Sequence, residues 1–112
     1  MGRAPQALTP ERLRAAAQCP AGLSLPLQAL WHDARGDWAT AHRTVMNAQS
    51  AAAAWVHAYL HREEGDLDNA RYWYRKAKRP EAAGELADEW AAIAAALLAR
   101  DCRTRGTSGA SN

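Results

Sequence analysis

The residues best placed to do chemistry are two histidines four apart, His57 and His61, in the stretch Ala54-Trp55-Val56-His57-Ala58-Tyr59-Leu60-His61. At about 100° per residue, helical positions four apart project within about 40° of each other. One helical face would carry both imidazoles, with Ala54 and Ala58, toward a paired helix. Such a pair can supply two ligands to zinc or another transition metal. Alanine follows His57, so the HExxH arrangement is absent. Two ligands are too few, and His32 is the candidate third. Three readings stay open. The first is a metal site of His57, His61 and His32. The second is a pocket for a small molecule or peptide that also uses Trp73. The third is a pair of inter-helix histidines hydrogen-bonded to Tyr, Asp or backbone groups. No cofactor is required by the sequence, and zinc or another transition metal is the one these residues could take.

The run Arg71-Tyr-Trp-Tyr-Arg-Lys-Ala-Lys-Arg79 mixes cations with rings, the ingredients of nucleic-acid surfaces. Helical projection separates them. Leu67, Ala70, Trp73, Tyr74 and Ala77 share an inner arc, while Arg71, Arg75, Lys78 and Arg79 form a solvated stripe beside it. Cations near a helix end favour its dipole, as Asp66 and Asp68 do at the start. The run is ordinary helix patterning, and nucleic acid is not an expected partner. Tyr72 projects to the polar side with Asp68, Asn69 and Lys76. Asn69, Tyr72, Arg75 and Lys76 are therefore candidate contacts for a protein or peptide. Glu63 and Glu64 diverge by about 100° and cannot share one substrate. The sequence holds no Gly-rich phosphate loop, GxSxG elbow or Cys–His pairing of supporting spacing. An enzyme is not the expected reading. Cys19 and Cys102 lack any CxxC or metal-like spacing and read as free thiols of a reducing compartment.

The elements that must position these residues are helices. The 112 residues suit one small domain. About a quarter of them are alanine, the best helix former, while Phe is absent and β-branched residues are scarce. Alanine buries little area, so the five Trp must carry much of the core. A net charge of +2 implies no polyanionic partner. Thr9-Pro10-Glu11 opens a first helix, expected to run to about Gln18 before Cys19-Pro20-Ala21-Gly22 breaks it. Pro26 starts a second helix, stopped by Gly36. Asp37 caps a third that ends near Asn47, and Ser50 opens a fourth that stops at Gly65. Asp66 caps a fifth that ends before Pro80. A sixth begins between Pro80 and Glu85 and runs to about Arg100. The expected fold class is all-α, five to six helices in antiparallel hairpins, as one domain over 1–101. The polar, small residues of 102–112 read as a disordered tail. The first six residues show no apolar leader, and the longest apolar run, 90–99, is half the ~20 residues of a membrane span. A soluble, cytoplasmic protein without a membrane partner is expected.

An internal repeat is the strongest organisational signal. With Gly36 placed on Gly65, Ala29 falls on Ala58, His32 on His61, Asp37 on Asp66, Ala41 on Ala70 and Ala48 on Ala77. Trp38 falls on Leu67 and Val45 on Tyr74. The unit is helix, Gly-Asp turn, helix, spanning about 25–49 and 50–80. It resembles the tetratricopeptide repeat: Ala58, Gly65, Leu67, Ala70, Tyr74, Ala77 and Pro80 follow that family's order, and Ala29, Gly36, Trp38, Ala41, Val45 and Ala48 repeat it. The period is 29 rather than 34, and Leu25 and Ala54 stand where the repeat opens with Trp. The outer helices would cap the stack. The string His57-Ala-Tyr-Leu-His61-Arg-Glu-Glu-Gly65-Asp66-Leu-Asp-Asn69-Ala-Arg-Tyr72-Trp73-Tyr74 also resembles the central motif of a family of small microbial proteins without an assigned function. That likeness implies a helical fold and carries no activity. The expected function is a small helical-repeat module that binds a protein or peptide, or itself. The alternative is a small-ligand or metal-binding protein using His57 and His61.

Overall fold

A computed structural model of the chain describes residues 8–111, with side chains as far as Arg100. Residues 1–6, the Cys102 side chain and Asn112, all read above from sequence, lie outside what is described. Six helices follow in order: α1 (Pro10–Ala15), α2 (Leu25–Ala34), α3 (Trp38–Met46), α4 (Ala51–Glu64), α5 (Leu67–Ala77) and α6 (Leu86–Ser111). No strand occurs among the described residues, so the protein is all-α. The pairs α2/α3 and α4/α5 form antiparallel hairpins, α3 packs on α4, and α6 lies across α1, α2 and α4.

Local chemistry sets most helix starts. The Arg12 N–H donates to Thr9 Oγ1 at 3.1 Å, and the Ala53 N–H to Ser50 Oγ at 3.0 Å, each satisfying an amide without an intrahelical partner. The two Gly-Asp turns are built alike. Gly36 and Gly65 sit at φ +83° and +90°, where a Cβ would be strained. Asp37 and Asp66 then cap α3 and α5 by accepting from the Thr40 and Asn69 amides.

Two boundaries differ from the sequence expectation. α1 ends at Ala15, not near Gln18, because the following carbonyls bind α2. The Trp31 indole donates to Ala16 O at 3.0 Å and the Arg35 guanidinium to Ala17 O at 3.2 Å. α6 continues to Ser111 rather than stopping near Arg100. Once a helix is formed, each further residue adds a hydrogen bond, and no proline interrupts this stretch.

The core centres on α4, whose Ala53, Ala54, Val56, His57, Ala58, Tyr59, Leu60 and His61 are all buried. Leu13, Leu27, Leu30, Val45, Ile93 and Trp90 close around it. Three tryptophans also tie helices by hydrogen bonds: Trp31 as above, Trp38 to Leu60 O at 2.8 Å, and Trp90 to Leu30 O at 3.0 Å. A charged knot joins α4, α5 and α6. Buried Glu89 accepts from Arg62 at 2.8 Å and from the Tyr74 hydroxyl, and Arg62 also donates to Gly84 O. Burial, then Glu89, pushes the Tyr74 phenol up, which keeps its proton in that bond.

Candidate metal centre

His57 and His61 stack one turn apart on the buried face of α4. Their ring centres are 4.9 Å apart, and only 4% and 7% of the residues are exposed. α3 adds a third imidazole. The His42 ring centre lies 4.7 Å from His57 and 5.2 Å from His61, in edge-on contact with both. Nε2 of His42 stands 3.0 Å from Nε2 of His57. One ring nitrogen from each of the three lies within 4.8 Å of the other two. Two nitrogens bound to one tetrahedral zinc at 2.0–2.1 Å are themselves about 3.3 Å apart. The three rings therefore need only small adjustments to share an ion.

The surroundings hold the rings. Trp38 stacks on His42 at 4.8 Å with an 8° interplanar angle, and Trp73 stacks on His57 at 3.9 Å and 13°. Trp38 is itself anchored by its bond to Leu60 O. Glu64, less than one turn beyond His61, takes that ring's Nδ1 at 2.7 Å. A carboxylate at Nδ1 holds the proton there and leaves Nε2 as the bare, more basic nitrogen, the form a metal binds. Nδ1 of His57 is enclosed and makes no hydrogen bond, so ring stacking rather than hydrogen bonding fixes that nitrogen.

Electrostatics favour neutral rings. Burial, then the neighbouring His42 and His61, lowers His57 to about 4. Burial and then His61 lower His42, against an opposing pull from Glu64. Three imidazoles this close cannot all be charged at low cost. Near neutrality each ring keeps one lone pair, the state required of a ligand, and an ion would take the place of the proton shared between the facing Nε2 atoms of His42 and His57.

The sequence candidates separate into two groups. His57, His61 and Trp73 come together. His32 does not join them: it contacts Trp31 edge-on at 5.1 Å on α2, and its carbonyl anchors the Gly36 turn. The third imidazole is His42, which the sequence reading passed over. Its signal was present. His42 and His57 are equidistant in sequence from the Gln49–Ser50 peptide bond, as are Trp38 and His61. An antiparallel pair of helices brings such positions to the same level. Asn69, Tyr72, Arg75 and Lys76 lie on the exposed side of α5. Tyr72 is 47% exposed, and Lys76 Nζ sits 5.7 Å from its ring centre and 5.5 Å from that of Trp73. The Asn69 amide is used in bonding Asp66 at 3.1 Å. A second trio, His61, Glu64 and Asp66, also meets metal spacing. There, however, His61 Nδ1 is bonded to Glu64 and the Asp66 carboxylate caps α5.

Away from this centre, Cys19 is a free, half-buried thiol that burial pushes up. No helix among the described residues is long and apolar enough to cross a membrane. A scan against protein-family models, a search of curated proteins and a search of solved structures each returned no match.

Proposed function

We propose that this protein binds a divalent transition metal of the zinc class through His42, His57 and His61. The observation that carries the reading is the convergence of three imidazoles from two helices, each with a nitrogen within 4.8 Å of the others. Three nitrogen donors suit zinc, copper or nickel, whereas magnesium and calcium take oxygen. The test is calorimetric titration of chelator-treated protein with zinc, with native mass spectrometry for stoichiometry. One ion per chain is expected. His42→Ala and His57→Ala should lose it, and His32→Ala should keep it. No uptake by the unmodified protein, or full uptake by His42→Ala, overturns the reading.

A second reading treats the chain as a cytoplasmic, tetratricopeptide-like interaction module without catalytic activity. It is favoured by Tyr72, an aromatic 47% exposed beside Lys76. Tyr72→Ala should leave the melting temperature unchanged and reduce recovery of a bound protein or peptide in affinity capture. A large loss of stability would mean that Tyr72 serves packing.

A further inference from the structure

Three imidazoles leave a tetrahedral ion one ligand short. Among the described residues, no fourth His, Cys, Asp or Glu offers an atom within 4.8 Å of all three donors. Glu64, bonded to His61, has its near oxygen at Nδ1, across the ring from the bare Nε2. The protein therefore supplies a three-nitrogen face and uses its adjacent carboxylate to orient a ligand rather than to complete the shell.

The face is not sealed. His57 and His61 are buried, but His42 and Trp73, which flank the donors from α3 and α5, are each half-exposed. A site meant to be closed by its own chain would bury all its ligands and present four. Here the partly open edge is lined by imidazole and indole rings, with Lys76 Nζ 5.5 Å from the Trp73 ring centre. An open position on a divalent cation accepts an electron pair, so a water or a small anion is the incoming group.

We infer that the fourth metal position is filled from solvent, by a water that exchanges for a small monodentate anion. This inference rests on the metal reading above. Exchange breaks one metal–oxygen bond and forms one metal–anion bond. The water leaves with its electron pair, the anion donates its own, and the ion's oxidation state is unchanged. An ion held this way by three nitrogens would lower the pKa of a bound water toward ~7. The structure assigns the protein to the open class of metal centre rather than the structural class.

The test uses cobalt(II), whose visible ligand-field bands report its coordination, and azide as the anion. The full-length protein is loaded with one equivalent of cobalt(II), then titrated with sodium azide, and gel filtration afterwards checks that cobalt is retained. Saturable band shifts with one azide per retained cobalt are the expected result. The His42→Ala protein should show no protein-bound cobalt spectrum. Failure of the unmodified protein to take up cobalt would overturn the metal reading and this inference with it. Retained cobalt whose bands ignore azide would leave the metal reading standing and overturn the open position alone.

Discussion

Zinc should stabilise the fold by an amount that can be worked out beforehand. The three donors come from α3 and α4, on either side of the connection after Met46, so they meet only in the folded chain. A ligand that binds the native state alone adds RT ln(1 + [L]/Kd), about 2.7 kcal/mol at a free concentration one hundred times Kd. A domain of this size shifts its midpoint by about 4–8 °C per kcal/mol. The rise in Tm should thus be about 10–20 °C, read by circular dichroism with zinc against chelator. Glu64→Gln tests the geometry further. It keeps an acceptor for His61 Nδ1 but removes the charge, and loss of such a support typically weakens metal binding 10–100-fold. At the same zinc concentration a tenfold loss leaves about 1.4 kcal/mol, roughly half the shift. An unmoved Tm in the unmodified protein, or an undiminished shift in His42→Ala, would refute the reasoning.

Three other outcomes follow from polar groups in and beside the core. His57 titrates near 4 in the fold against 6.5 in the open chain, so between those values the unfolded state binds more protons. The metal-free protein should lose stability as pH falls from about 6.5 to about 4, measured by urea midpoints, and His57→Gln should flatten that slope. Glu63 goes the other way. Partial burial and a hydrogen bond that its protonated carboxyl donates to Asp33 raise it to about 8 from 4.5. Its folded form therefore holds the extra proton, and stability should fall as pH rises through that window. Glu63→Gln should be more stable than the parent above pH 8, and equal midpoints there would remove Glu63 from the account. Glu89→Ala strips the acceptor from both Arg62 and Tyr74. Breaking one partner out of a buried charged network costs about 3–5 kcal/mol, and a loss below about 1 kcal/mol in urea denaturation would show the knot to be slack.

How far each feature was legible in the sequence depends on the range of its cause. The Gly-Asp turns and the caps at Thr9, Ser50, Asp37 and Asp66 arise within four residues, so local pattern was enough to place α3, α4 and α5. The end of α1 was not legible, because carbonyls bound by Trp31 of α2 and by Arg35 just beyond it decide it. The centre divides the same way. His57 and His61 are coupled by the helical period alone and could be paired on sight. His42 joins them only because α3 returns antiparallel to α4. The repeat register instead pairs His32 with His61, which compares equivalent positions in successive hairpins rather than positions that face each other. Reflection about the α3–α4 connection, not translation by 29 residues, is the operation that finds the contact. The same reflection pairs Trp38 with His61, whose rings lie 6.1 Å apart, although the two residues share neither chemistry nor repeat position. The centre is thus a product of the interface between the two hairpins. Substitutions that shift α3 against α4, such as a change in the length of the 47–50 connection, should disperse its donors without touching a histidine.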